Sequence, residues 1–296
     1  MSSVIVLGVK GRFGRAAADA FAEAGWRVTR AGRGLSGEGC VDVDATETAA
    51  VVSACAGHQV IVNAVNPLYH HWADTVPRVT EAVIVAARAA DATVMIPGNI
   101  YNYGRDMPPM LTEDTPWGAE TRKGKIRIRM EEAYRDSGVR TIVLRGGDFL
   151  DTKASGNWFE SYIAPKAGQG KLTYPGPRHL VHAWAYLPDM ARAMVALAER
   201  RLEFDGFEEF GFGGYALTGH DLIALVEDVM DKPMRVSRLP WWAVGVMGLW
   251  SPLMREVVEM QYIWHRPHQV DGAKLRAALP EFRETPVRDA IATSLS

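Results

Sequence analysis

Short apolar runs alternate with stretches of helical periodicity through the first half of the chain. Residues 4–8, 26–30, 59–65, 93–97 and 140–145 read as strands. Residues 15–24 and 79–90, rich in alanine or valine at helical spacing, read as helices. Runs that are apolar throughout belong to strands covered on both faces, and strands that alternate with helices give a parallel sheet. Right-handed crossovers then make the fold class α/β, a doubly wound parallel sheet. The second half differs. A helix is predicted over 186–200, with Pro188 near its start and Met190, Met194 and Leu197 on one side. Thr218-x-x-Asp221 is a capping-box variant ahead of another apolar helix. A Trp/Met-rich stretch follows from Leu239. Its uncharged part, 239–254, carries two prolines and is shorter than the ~20 residues of a membrane span. It is expected to be a buried helix or hydrophobic lobe.

Composition narrows the class. In 296 residues, 48% are hydrophobic and 23% charged, as in an ordinary folded protein. Lys and Arg number 33 against 35 Asp and Glu, a net charge of -2 that argues against a nucleic-acid partner. Two cysteines, Cys40 and Cys55, make no disulfide framework. With no leader pattern at the N-terminus, a cytoplasmic protein is expected, without a membrane partner and with a homodimer as one assembly.

The strongest motif is Gly8-Val9-Lys10-Gly11-Arg12-Phe13-Gly14, between the first strand and the first helix. Glycines permit a tight turn and a close approach of backbone to a pyrophosphate, and the helix N-terminus offers free N–H groups to it. Nucleotide binding follows, with residues 1–149 as the dinucleotide-binding domain and 183–214 returning to it. Residues 150–182 and 215–296 form a smaller, mostly helical substrate lobe. Trp and Met side chains in that lobe suit either core packing or a pocket for a partly apolar small molecule.

The spacing G-x-x-G-x-x-G resembles the extended and atypical short-chain dehydrogenase/reductase superfamily, in particular the NAD-dependent epimerase/dehydratase family. Further segments match in order. Cys40-Val41-Asp42-Val43-Asp44 is similar to the third-strand segment, where an Asp-apolar pair, here Asp42 and Val43, contacts adenine. Residues 61–66, with Ala64, Val65 and Asn66, are similar to the fourth-strand segment beside the cofactor. Residues 144–149, with Gly146 and Gly147, and residues 186–191 match two later segments. The resemblance implies the fold and a nicotinamide cofactor. Charge selects its form: NAD enzymes place an acid at the end of strand two, whereas this chain has Arg30-Ala31-Gly32-Arg33 and no acid before Glu38. Arg30 and Arg33, with Lys10 and Arg12 nearby, suit a 2′-phosphate, so NADP is expected, otherwise NAD.

The family's Tyr-x-x-x-Lys pair is missing. Alignment on Glu113-Asp114-Thr115-Pro116 and Met130-Glu131 puts Lys123 and Arg127 at its positions, sharing one helix face. A slipped register would offer Thr121 and Lys125 instead; Lys123 is one candidate acid or a ligand for nicotinamide ribose or phosphate, and Arg127 a cofactor ligand. In Pro97-Gly98-Asn99-Ile100-Tyr101-Asn102-Tyr103-Gly104, Asn99 replaces the usual hydroxyl, and Tyr101 or Tyr103 replaces the missing proton donor. This pattern is similar to a poorly characterised subgroup. One of His70 and His71 is a candidate relay, His182 a candidate substrate contact, and no metal is expected. The first functional expectation is an NADP-dependent oxidoreductase acting on a carbonyl or hydroxyl of a small, partly apolar molecule. The alternatives are an NAD-dependent epimerase or dehydratase on a sugar nucleotide, and a non-catalytic NADP-sensing protein.

Overall fold

A computed structural model of the chain describes every residue except Ala154. The first part runs β1 (Ser3–Leu7), α1 (Arg12–Glu23), β2 (Arg27–Gly32), β3 (Cys40–Asp42), α2 (Thr48–Cys55), β4 (Val60–Asn63), α3 (Trp72–Ala90) and β5 (Thr93–Gly98). It continues through β6 (Met110–Leu111), α4 (Arg122–Ser137), β7 (Thr141–Arg145), β8 (Asp148–Leu150), β9 (Lys171–Tyr174), β10 (Val181–Tyr186), α5 (Leu187–Glu199), β11 (Phe207–Gly211) and β12 (Tyr215–Thr218). The rest is α6 (Gly219–Met230), β13 (Arg235–Arg238), α7 (Trp241–Met247), α8 (Pro252–Glu259), β14 (Gln269–Val270), α9 (Ala273–Ala278) and α10 (Val287–Leu295).

Seven parallel strands form the main sheet in the order β11-β7-β5-β4-β1-β2-β3. The apolar run of β1 is explained by its place in the middle. Val4 and Val6 pack on the side of α1 and α5, while Ile5 and Leu7 pack on the side of α2 and α3. The expected doubly wound sheet is therefore the one found. Strand order reverses between β1 and β4, and the crevice at their carboxyl ends is where such sheets bind ligands.

The second part adds small sheets at that end. Strand β10 lies between β8 and β12, β9 pairs with β13, and β14 with β6. The chain comes back to the main sheet with α5, which packs on α1, and with β11 at the edge. Thr218 and Asp221 form the predicted capping box of α6. The Trp/Met-rich stretch departs from expectation. Helices α7 and α8 bury only Val244 and Val257 fully, and Trp242, Leu249 and Trp250 face solvent. Among the described residues, no helix is long and apolar enough to cross a membrane.

Candidate active site

The glycine loop shows why it needs glycine. Gly8 has φ 80°, in the left-handed region, and a Cβ there would stand 2.8 Å from the Ala64 carbonyl oxygen. A Cβ on Gly14 would collide with the Gly8 carbonyl, so α1 lies directly on the turn. Gly11 caps α1 with backbone alone, leaving the helix N-terminus open to the crevice.

Two cavities meet at this loop, sharing Lys10, Gly11, Ala64, Val65 and Asn66. One, of about 680 Å³, reaches over the ends of β2 and β3, past Gly8, Arg33, Val43 and Asp44 to Arg78. Lys10 Nζ donates to the Arg33 carbonyl (2.5 Å) and ties the glycine loop to the loop after β2. The Thr46 N–H and hydroxyl hold the Asp44 carboxyl below the usual range, with Arg33 and Arg78 adding to the effect. The other cavity, of about 390 Å³, runs from Arg12 and Phe13 to the ends of β4, β5 and β7, where Asn99, Tyr101, Arg127, Gly146 and Gly147 line it.

The polar centre of that second cavity is a pair of tyrosines. Tyr101 sits in a 3-10 turn after β5 that Asn99 caps, its side chain accepting from the Tyr101 N–H at 3.0 Å. The Tyr101 hydroxyl lies 3.0 Å from that of Tyr69, from the loop after β4. Burial raises the pKa of both hydroxyls, Tyr101's further, while Arg12 and Arg127 pull Tyr69's back. Arg127 is stacked 4.8 Å over the Trp72 ring, and burial lowers its pKa. From the far wall comes Asp148, whose carboxylate is 2.8 Å from His182 Nε2. His182 is buried and stacked on Trp264 at 4.0 Å. Among the described residues, the lobe contributes Ser155, Asn157, Trp158 and Ile263 to the lining and no cation.

Most sequence candidates therefore converge, but several lie outside both cavities, among them His182, which reaches the lining only through Asp148. Gly14 is packed beneath Gly8. Arg30 turns toward α1 and pairs with Asp19 at 3.4 Å. Asp42 accepts from the Gly34 N–H at 2.7 Å, leaving Val43 and Asp44 at the cavity. Tyr103 is buried away from the mouth, its hydroxyl donating to Glu209 (3.1 Å). There Glu209 and Glu131 flank Arg145; burial works against its charge, but the two carboxylates outweigh that and keep it protonated. Lys123 is 1% exposed, paired with Glu256 and Glu259 of α8 and 5.2 Å over the Tyr69 ring, behind the cavity wall rather than lining it. Of the histidine pair, His71 borders the larger cavity. Residues not singled out by role were Tyr69, Asp148 and Arg78. Tyr69 adjoined the histidines that drew attention, and Asp148 sat within a matched segment; Arg78 carried no sequence signal.

No family model and no curated protein matches the sequence. Solved structures match along its length. MoeE5 in complex with UDP-glucose and NAD superposes with a TM-score of 0.77 at 13% identity, over 100% of this chain and 97% of that one. UDP-glucose 4-epimerase from Bifidobacterium longum, in complex with NAD+ and UDP, gives 0.75 at 16%, over 99% and 97%. The UDP-Glc/GlcNAc 4-epimerase from Campylobacter jejuni gives 0.74 at 13%, over 100% and 98%. At these identities the likeness is one of fold, and it runs end to end: this chain has the architecture of those structures.

Proposed function

We propose that the chain binds a nicotinamide dinucleotide, NADP in preference to NAD, and is an oxidoreductase acting on a carbonyl or hydroxyl of a small, partly apolar molecule. The observation that carries this reading is the Tyr69–Tyr101 hydroxyl pair, in a cavity that begins at an open helix N-terminus. The glycine loop and that N-terminus fit a pyrophosphate, since any side chain at Gly8 would fill the space by Ala64. Arg33 stands after the end of β2, where an NAD site would hold an acid, and Lys10, tied to its carbonyl, and Arg78, paired with Glu47, line the same cavity. When bound, the cofactor supplies or takes up hydride.

The chain's own residues handle the proton. In reduction, Tyr101 Oη gives its proton to the substrate oxygen, Tyr69 Oη replaces it through their hydrogen bond, and solvent returns a proton to the half-buried Tyr69. The half-buried Arg127 stabilises the negative charge passing through the pair. Asn99 fixes the turn that aims Tyr101. Asp148, held by His182, is a fixed acceptor for a substrate hydroxyl. A lobe wall of Trp158 and Ile263, without a cation, suits an uncharged molecule better than a diphosphate.

A thermal-shift series with NADP(H) and NAD(H), followed by NADPH oxidation against a carbonyl panel, tests this reading. A ligand at a hundredfold excess over its Kd stabilises by about 2.7 kcal/mol. A shift with NADP(H), and turnover lost in Tyr101→Phe, supports the proposal. A shift with NAD(H) alone refutes the cofactor preference. The second reading, an NAD-dependent epimerase, is favoured by the named structures. It predicts tightly bound NAD in the purified protein and no net consumption of reduced cofactor.

A further inference from the structure

The helical hairpin α7–α8 exposes apolar surface that the fold does not use. Trp242 and Trp250 are each 77% exposed and Leu249 69%, with Val246 and Met247 beside them. Scattered exposed apolar residues are normal on a protein surface; a cluster on one short hairpin marks an interaction site. The hairpin is well held at its base. Trp241 Nε1 donates to the Pro175 carbonyl (2.6 Å), Arg255 Nε donates to the Gly248 carbonyl (3.2 Å), and Ser251 caps α8. The exposed side chains are thus presented by a fixed frame.

The surrounding charge says what covers them. The chain as a whole is near neutral, yet residues 232–255 contain four cations and no Asp or Glu, and the two acids that follow on α8, Glu256 and Glu259, are engaged with Arg122 and Lys123. Arg235, Arg238 and Arg255 are exposed, as is Lys171, the register partner of Arg235 across the β9–β13 pair. Among the described residues, none of these four forms an ion pair. Adjacent unpaired cations repel one another and are stabilised by an anionic surface. Tryptophan prefers the boundary between headgroups and acyl chains, and basic residues beside it add attraction to anionic lipid.

We propose that the α7–α8 hairpin and the adjoining β13 edge dock on an anionic lipid bilayer. Trp242, Leu249 and Trp250 enter the interface, while Lys171, Arg235, Arg238 and Arg255 meet the headgroups. The chain lies on such a surface and does not span it. The docking face adjoins the candidate active site: the Trp241 ring is 6.1 Å from that of Trp158, which lines the smaller cavity.

Co-sedimentation of the full chain with vesicles tests this. The protein is expected to pellet with phosphatidylglycerol-containing vesicles, with a blue shift of tryptophan emission, and to stay in solution with phosphatidylcholine alone. Added salt releases it. A cation near an anionic surface is worth about fivefold in partitioning, so Arg235→Gln with Arg238→Gln weakens binding about twenty-five-fold. Trp242→Ser with Trp250→Ser abolishes the blue shift and the binding while leaving the melting midpoint in place. If that variant melts early, the arginine variant decides. The proposal is overturned by no pelleting with anionic vesicles, by pelleting that neither variant alters, or by a solution dimer that the tryptophan variant splits. The last result would make a second copy of the chain the occupant.

Discussion

Replacing Tyr101 by phenylalanine removes one oxygen from the candidate active site and leaves its frame standing. The ring keeps its tilted contact with Trp72, 6.2 Å between centroids, and the backbone N–H keeps its bond to Asn99. What is lost is the hydrogen bond to Tyr69, worth about 1 kcal/mol, on a cavity wall where water can take its place. The variant should therefore fold and bind cofactor as the parent does. The rate is a different matter. A positioned general acid contributes roughly 10²–10⁴-fold, equivalent to about 2.7–5.4 kcal/mol of barrier. Single-turnover loss of NADPH absorbance, with cofactor and substrate saturating, reads the chemical step directly. Tyr101→Phe should lower it at least about a hundredfold. Tyr69→Phe, which cuts only the relay behind the donor, should cost less, on the order of tenfold. Burial holds the Tyr101 pKa well above 10, so the donor stays protonated through the neutral range and its ionisation should leave no step in the rate there. A Tyr101→Phe rate within about threefold of the parent would refute the assignment and move the proton to Asp148 or to solvent.

Three other outcomes follow from the geometry. Arg33→Glu should weaken NADPH binding by roughly ten- to a hundredfold, the worth of a charged hydrogen bond, with NADH binding kept; titration calorimetry reads it, and an unchanged preference sinks the cation argument. Glu131→Gln leaves the Arg145 guanidinium with Glu209 alone in the interior and should cost about 3 kcal/mol in urea unfolding; a loss under about 1 kcal/mol would contradict the network. His268 is buried neutral beside His182, its pKa pushed down to about 3. Unfolding raises it to about 6.5, so the unfolded state binds the extra proton. Stability is therefore intact above about 6.5 and falls as pH drops toward 3, by up to about 1.4 kcal/mol per unit. His268→Gln should flatten that part of the curve, and identical slopes for the two proteins would refute the assignment.

The parts of the molecule legible in the sequence are those decided by near neighbours. The β1 run is apolar because both of its faces are covered, and the glycine loop is conspicuous because α1 must lie on the Gly8 carbonyl. The capping box of α6 is a contact three residues long. Helix α3 begins at Trp72, earlier than expected, because Pro77 is accommodated inside it rather than breaking it. Tyr103 and Lys123 were misplaced for the opposite reason. Their partners stand 106 residues on, at Glu209, and 133 and 136 residues on, at Glu256 and Glu259. Alignment assigns a ladder position, whereas a distant carboxylate decides which way the side chain turns. The exposed hairpin escaped likewise: an uncharged stretch reads as core, and only packing reveals that α7 and α8 cover too little of it.

The placement of Lys123 follows from helix α4. In the resembled family its first turns carry the tyrosine and lysine. Here Thr121 caps the helix, and a side chain at Gly124 would strike the Tyr101 carbonyl at 2.6 Å, so the helix is pressed hard against the turn after β5. Arg127 lines the cavity, whereas Lys123, buried 5.2 Å over the Tyr69 ring, binds Glu256 and Glu259 of α8. In this chain the first turn of the helix clamps the lobe through Lys123. The hydroxyls at the cavity come from the loops after β4 and β5, which bring Tyr69 and Tyr101 to one point. The chemistry proposed above follows those loops, and Lys123→Met, which removes the clamp on α8 and the cation over the Tyr69 ring together, should lower stability and slow the chemical step less than Tyr101→Phe does.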